Sequence, residues 1–336
     1  MNRYSRQVLF KPIGEAGQSA LQEKHALIIG AGALGSGNAE MLVRAGVGRV
    51  TIVDRDYVDW SNLQRQQLYA ELDAAGQLPK AAAAKRRLQA INSEVEIVIH
   101  VADATAELLE RLAADADVII DATDNFETRF IINDVAQKLG VPWIYGACVG
   151  SYGISYTILP GETPCLSCLL QTIPLGGATC DTAGIISPAV SMTVSHQVAE
   201  ALKLLSGNRE ALRRELVSFD VWSNEYSAVR VQAMKKESCP SCGPDAVHPY
   251  LQRENTSQAA VLCGRDTVQI RLPQAVPIEE YRRNLPPHAE HIVQNPYLLS
   301  FSLDGKRFVL FRDGRLLLHG TKDITEARTI YHRYFG

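Results

Sequence analysis

Residues Leu27 to Arg65 read LIIGAGALGSGNAEMLVRAGVGRVTIVDRDYVDWSNLQR, a nucleotide-binding turn joined to a polar loop. The apolar run Leu27–Ile29 enters a turn carrying Gly30, Gly32 and Gly35, with Ala33 at a position often held by glycine. Glycines there let the backbone turn tightly, approach a phosphate and pack helix on strand. The helix that follows presents free N–H groups that attract anions. A second strand, Val50 to Val53, ends in Asp54, about twenty residues past the turn, where a carboxylate can accept hydrogen bonds from a ribose diol. Up to this point the pattern fits NAD as well as ATP, and an NAD-dependent oxidoreductase is the rival reading.

The following residues separate the two. SNLQRQ (Ser61 to Gln66) puts a guanidinium and amides directly after the ribose carboxylate, and further on come Lys80 and DATDN (Asp121 to Asn125). Splitting ATP between its α and β phosphates requires fixed cations and a carboxylate-held Mg²⁺, whereas an NAD enzyme needs little positive charge beyond its pyrophosphate turn. Arg65 and Lys80 supply the cations and Asp124 the Mg²⁺ ligand. Asp56, Ser61, Asn62, Leu63, Gln64 and Asn125 complete the candidate ATP contacts.

With RYSRQ near the N-terminus, GAGALG, DRDYVDWSNLQRQ, LPK, DATDN and two CxxC pairs, the chain resembles the ThiF/MoeB/HesA family, bacterial relatives of the ubiquitin-activating enzymes. The resemblance covers roughly Arg3 to Gly243. It implies adenylation of the C-terminal glycine carboxylate of a ubiquitin-like sulfur carrier with a Gly-Gly tail, in thiamine or molybdopterin biosynthesis, with a cysteine desulfurase as a possible class of sulfur donor. It further implies that Arg6 reaches the ATP phosphates of a neighbouring subunit, hence a homodimer. By spacing alone Arg6 is a surface arginine. A cysteine at the position of Cys180, in GGATCDTAG (Gly176 to Gly184), takes up the activated carrier or serves sulfur transfer in resembling proteins; the plain alternative is a loop cysteine without function. A third reading, a non-catalytic carrier-binding scaffold, is disfavoured by the intact acidic and basic set.

Cys165-Leu166-Ser167-Cys168 and Cys239-Pro240-Ser241-Cys242 form two knuckles, each able to offer two thiolates to one tetrahedral Zn²⁺. A redox dithiol is the alternative. With all four positions filled by Cys165, Cys168, Cys239 and Cys242, such a zinc is structural. Cys148 and Cys263 are expected to be buried fillers.

Composition sets the class. In 336 residues, 46% hydrophobic and 21% charged, there is ample material for a globular enzyme. A formal net charge of -3 disfavours nucleic acid as a partner. No signal-like or membrane-spanning apolar stretch occurs, so a cytoplasmic location is expected.

Along the chain, apolar strands at Glu96 to His100, Val118 to Ile120 and Trp143 to Ala147 alternate with helices at Lys80 to Ile91, Ala106 to Ala113 and Glu127 to Leu139, the pattern of a doubly wound, mostly parallel Rossmann-like sheet. Ile154 to Leu159, Val217 to Val221 and Ala228 to Gln232 read as strands extending it antiparallel, around a helix from about Ala189 to Leu205. Residues 1–243 are thus expected to form the ATP-binding domain, 244–260 a linker and 261–336 a small α+β module. The module reads as strands at Thr267 to Leu272, Tyr297 to Leu303, Lys306 to Phe311 and Arg315 to His319, with helices near Ile278 to Arg283 and Ile324 to Tyr334.

Overall fold

The computed structural model describes residues 3–170, 183–252, 259–261, 266–272 and 274–335. They fall into two compact units: Met1–Glu71 with Pro79–Arg253, and Leu72–Leu78 with Glu254–Gly336.

In the first unit β1 (His25–Ile29) lies between β2 (Arg49–Val53) and β4 (Val118–Asp121), parallel to both. β3 (Glu96–His100) flanks β2, and β5 (Trp143–Val149) flanks β4, again in parallel. β6 (Tyr152–Ile158), β7 (Glu215–Asp220) and β8 (Glu225–Arg230) then add antiparallel strands, giving the order β3-β2-β1-β4-β5-β6-β7-β8. Every residue of β1 and β4 is buried, as central parallel strands covered on both faces must be, whereas the edge strand β8 is exposed throughout.

The helices are α1 (Ser5–Val8), α2 (Gly14–Gln22), α3 (Ala33–Ala45), α4 (Glu71–Ala75), α5 (Lys80–Ile91), α6 (Ala106–Ala113), α7 (Phe126–Leu139), α8 (Leu166–Leu169) and α9 (Ser187–Leu205). α3 packs on α5 and α9; α6 packs on α7. Leu109, Ala113, Ile131, Ile132, Val135 and Ala136 share one core with Leu27, Ile29, Ile119 and Trp143 of the sheet. Glycine and asparagine set the helix ends: Gly46 and Gly140 terminate α3 and α7 in the left-handed conformation, while Asn125 caps α7 by accepting from Thr128 N at 2.9 Å.

The second unit holds a six-stranded antiparallel sheet of β9 (Ala259–Val261), β10 (Thr267–Arg271), β11 (Glu290–Gln294), β12 (Leu298–Leu303), β13 (Lys306–Phe311) and β14 (Arg315–His319), ordered β11-β12-β13-β14-β10-β9. Asp304 and Gly305, both at positive φ, make the tight β12–β13 hairpin. α10 (Ile278–Arg283) and α11 (Ile324–Phe335) complete this unit, Ile278 and Ala327 joining Phe301, Phe308 and Leu318 in its core. Segment Leu72–Leu78 belongs here as well: Asn295 Nδ2 donates to the carbonyls of Gly76 and Gln77 at 3.0 and 3.2 Å. The fold is therefore α/β, a doubly wound, mostly parallel sheet extended antiparallel, with a second, smaller antiparallel-sheet unit. Among the described residues no helix is long and apolar enough to cross a membrane.

Candidate active site

The chain leaves β1 where strand order reverses, β2 and β3 lying to one side and β4 and β5 to the other. Open α/β sheets take ligands at that crevice. Gly30 turns the corner at φ +97°, and a Cβ there would lie 2.4 Å from the Ala122 carbonyl oxygen; one on Gly35 would lie 1.9 Å from Gly30 O. Those two glycines are required by the turn itself. Gly32, the N-cap of α3, differs, since a Cβ there would meet only Gln66 Nε2, at 3.9 Å, leaving room for a ligand to approach the backbone. Ala33 is the first helical residue, and α3 has no side-chain cap at this end. Gln66 is buried, and its Oε1 has no hydrogen-bond partner among the described residues. An open glycine turn and an uncapped helix start suit an anionic group, and the unpartnered Gln66 Oε1, an acceptor, suits a hydrogen-bond donor beside it.

Asp54 follows β2 and is tied to this turn. Its Oδ2 accepts from Ala31 N and its Oδ1 from Asp56 N, each at 2.6 Å. Burial raises its pKa, and the neighbouring Asp56 charge adds to that, against the pull of Lys80 and the two backbone donors. Lys80, first residue of α5, is 4% exposed and places Nζ 3.2 Å from Asp56 Oδ2, while its N–H donates to Asp56 O at 2.8 Å. Asp54, Asp56 and Lys80 thus form one network on the β2 side of the turn. Burying an ammonium is costly unless it is paired, and Asp56 supplies the pairing here.

The SNLQRQ segment is a short 3₁₀ turn (Trp60–Asn62) closed by a reciprocal cap. Asp59 Oδ1 accepts from Ser61 N at 3.0 Å, and Asn62 Oδ1 accepts from Asp59 N at 3.1 Å. Asn62 is 1% exposed and serves the loop's own shape. Ser61 and Gln64 are exposed, Leu63 and Arg65 half-buried. Arg65 Nη1 donates to Ser61 O at 2.8 Å, and Gln64 Nε2 approaches Ile185 O at 3.4 Å.

On the other side of the turn, the loop between β4 and α7 carries Asp124, exposed, with Asn125 Nδ2 3.3 Å from its Oδ1. A buried ion pair holds that loop. Arg129 Nε meets Asp121 Oδ2 at 3.0 Å, Arg129 Nη2 donates to Thr123 O at 2.6 Å, and the guanidinium lies 5.2 Å from the Phe126 ring centre. Burial opposes the Arg129 charge, but Asp121 and its neighbours outweigh it and raise its pKa. Sequence reading gave Arg129 no role; the signal was its place eight residues after the first aspartate of DATDN, on the face that turns back toward β4.

Arg6 stands exposed on α1, which is pinned from both sides of it. Tyr4 OH accepts from Asn92 Nδ2 at 2.9 Å, and Gln7 Nε2 donates to Ala45 O at 2.9 Å. Tyr4 and Gln7 are thus the anchors of RYSRQ, with Arg6 projecting between them. Cys180 and Cys263 lie outside the described residues. Cys148 is buried at the end of β5.

The four knuckle sulfurs converge, all within 4.8 Å of one another. Cys165–Cys239 and Cys168–Cys242 are 3.6 Å apart and Cys165–Cys168 3.9 Å. A tetrahedron with Zn–S bonds of about 2.3 Å has edges of about 3.8 Å, whereas a disulfide needs about 2.05 Å. The spacing fits a metal and excludes disulfides in this form. The thiols do not ionise alike: hydrogen bonding to Cys242 and then burial raise Cys165, burial pushes Cys168 up to about 11, and hydrogen bonding from Cys165 brings Cys242 down to about 5. Metal binding here therefore displaces protons.

A family model described as the ThiF family matches residues 4–241. The chain is 57% identical over 336 residues to the sulfur carrier protein ThiS adenylyltransferase of Bacillus subtilis (strain 168), covering 99% of both chains. It is 36% identical over 249 residues to the Escherichia coli (strain K12) protein of the same description, covering 74% of this chain and 97% of that one. Identity is 33% over 245 residues to the molybdopterin-synthase adenylyltransferase of the same strain, covering 72% and 96%. Among solved structures, E. coli MccB with MccA-N7isoASN shares the fold at TM-score 0.64 and 21% identity, over 72% of this chain and 75% of that one.

Proposed function

The chain belongs to the ThiF family, and from that premise we propose that it adenylates the C-terminal glycine carboxylate of a ThiS-like sulfur carrier, using ATP and releasing pyrophosphate. The observation that carries the reading is the Asp54–Asp56–Lys80 network beside an open glycine turn, with Asp124 on the loop across it. The NAD-dependent oxidoreductase reading leaves Lys80, the SNLQR loop and the four converging cysteines without a role. The thiamine-pathway carrier is favoured because the match to the ThiS-activating relative extends over 99% of both chains, the second unit included.

The carrier's carboxylate oxygen attacks the α-phosphorus, and the bond from that phosphorus to the β-phosphate's bridging oxygen breaks. No enzyme nucleophile takes part in this step. Lys80 and Arg65 neutralise the phosphates, Asp54 fixes the ribose, and the N–H groups at the start of α3 receive anionic oxygens. Asp124 would hold Mg²⁺, which supplies further charge neutralisation. Gly30, Gly32, Ala33 and Gly35 shape the phosphate cradle; Ser61, Asn62, Leu63 and Gln64 set the loop from which Arg65 projects, and Asn125 caps the helix behind Asp124. Cys165, Cys168, Cys239 and Cys242 would hold a structural zinc. Cys180 is proposed to act after adenylation, in sulfur transfer. The first unit, in which Tyr250 past the second knuckle still packs on Phe130, carries this chemistry, and the second unit serves carrier docking or partner choice. The cytoplasm is the proposed location.

Incubation with ATP, Mg²⁺ and either a ThiS-like or a MoaD-like carrier tests the substrate. A carrier-AMP mass is expected with the ThiS-like protein. Adduct with the MoaD-like carrier alone overturns the pathway assignment, and adduct with neither overturns the activity.

Arg6 is proposed to act across a two-fold dimer. Arg6→Ala and Asp124→Ala are each expected to be inactive as homodimers, yet exchanging subunits restores one complete site per mixed dimer, about a quarter of wild-type activity. A mixture no more active than its components would argue that Arg6 works within its own subunit or not at all.

A further inference from the structure

One ion pair at the strand ends has no part in the scheme above. Arg55, between Asp54 and Asp56, reaches sideways from the end of β2 and sets Nη1 3.3 Å from Asp103 Oδ1, in the loop between β3 and α6. The strand ends lie side by side, Val53 registered with His100 and Asp54 N donating to His100 O at 3.0 Å. Asp103 sits on a fixed loop. Its carbonyl accepts from Thr105 N at 2.9 Å, and Thr105 caps α6 by accepting from Leu108 N at 3.2 Å. The Arg55 side chain is 37% exposed and the Asp103 side chain 17%. Burial opposes the guanidinium charge, but Asp56, Asp103 and Asp124 outweigh it and raise the Arg55 pKa. The result is a planar cation beside a carboxylate at a half-open rim.

Direction supplies the task. In a doubly wound sheet the phosphates sit at the glycine turn after β1 and the ribose at the end of β2. A nucleotide running phosphate, ribose, base therefore continues outward, toward the loops after β2 and β3, where Arg55 and Asp103 stand. We propose that this pair receives the nucleobase, the Arg55 guanidinium lying against the purine face and the Asp103 carboxylate accepting from the 6-amino group of adenine. The inference rests on the assignment of ATP to the β1 turn. Guanidinium planes stack favourably on π-systems. An ionised carboxylate is an acceptor only, so it can pair with an amino group at C6 but faces a 6-oxo group with no proton between them.

Calorimetric binding of Mg²⁺-ATP and Mg²⁺-ITP to the full chain tests this without activity as the readout, since the two nucleotides differ in the C6 substituent and share ribose and triphosphate. Wild type is expected to prefer ATP about tenfold or more. Asp103→Asn offers an amide donor at the same place and should narrow the preference by about tenfold, mainly through tighter ITP. Arg55→Met should weaken both nucleotides alike by about tenfold. Melting curves establish that each variant folds, and Asp103→Ser serves in the same comparison should the Asn variant not fold. An ATP-to-ITP ratio that Asp103 variants leave unchanged overturns the proposal, as does a wild type that binds the two equally. Asp54→Ala keeps the outcomes apart: it should weaken both nucleotides while preserving their ratio. If it binds both as wild type does, the ribose assignment falls while the ratio still judges the base site; if wild type binds neither nucleotide, both assignments fall.

Discussion

Asp124→Ala is expected to slow carrier-dependent ATP–pyrophosphate exchange about 10²-fold or more while leaving the melting temperature unchanged. The separation of the two readouts follows from the side chain's surroundings. Asp124 is exposed, and its described side-chain contact is a 3.3 Å approach from Asn125, so its removal exposes no cavity and strands no buried charge. Three residues earlier, Asp121 is fully buried against Arg129, with Thr123 N and Oγ1 donating to it at 2.9 and 2.7 Å. Asp121→Ala should also abolish exchange, but by leaving an uncompensated buried guanidinium at a cost of about 3–5 kcal/mol, so its melting temperature falls too. Arg65→Ala belongs with Asp124, being half-buried and bonded to a carbonyl in its own loop. Wild-type exchange in Asp124→Ala would remove it from the reaction. A melting temperature that drops as far as that of Asp121→Ala would make it a loop-forming residue instead.

That contrast marks where the sequence was legible. The glycine turn, Asp54 at the end of β2 and the strand–helix alternation are local signals: fixed spacing, period and φ requirement all act within one βαβ unit. Expected strands and observed strands coincide at Glu96–His100, Lys306–Phe311 and Arg315–His319, where apolar content is high. β11 was not foreseen, because EHIVQ is short, mostly exposed and interrupted by a register shift between Glu290 and Val293, so it has no alternation to read.

The supports of the site were hidden for a different reason. Arg55 to Asp103 spans 48 residues and Tyr4 to Asn92 spans 88, separations that no local pattern reports. Arg129 reads in sequence as an ordinary helical arginine; only the packing of α7 against β4 and β5 turns it into the clamp on the DATDN loop. Asn62 and Asn125 are the reverse case. Each lies in a motif that marks ligand contact, and each also has a local capping bond, which is why amide side chains at turn and N-cap positions carry less information about ligands than the charges beside them.

The knuckles give the second large effect: freshly purified protein is expected to carry about one zinc per chain, and Cys168→Ser to release it and lower the melting temperature on the order of 10 °C. Both knuckles are built into the first unit's core rather than attached to it. Leu166 N donates to Asn133 Oδ1 at 2.8 Å, Ser167 and Ser241 hydroxyls meet at 2.9 Å, and Cys165, Cys168 and Cys239 are buried among Ile131, Val135 and Tyr145. Past the second knuckle, Tyr250 stacks on Phe130 of α7 at 4.4 Å and donates its N–H to Asp134 at 2.9 Å. A metal joining sulfurs 74 residues apart thus closes a long loop across α7, the helix whose first turn follows Asp124. Its loss should loosen that region without removing a catalytic group. Cys168→Ser assayed well below its melting temperature should therefore keep ATP–pyrophosphate exchange within a few-fold of wild type, and lose it on warming at a lower temperature than wild type does. Absence of zinc from fresh protein would sink the metal assignment. Exchange abolished in a fully folded Cys168→Ser protein would instead mean that the cluster takes part in the chemistry.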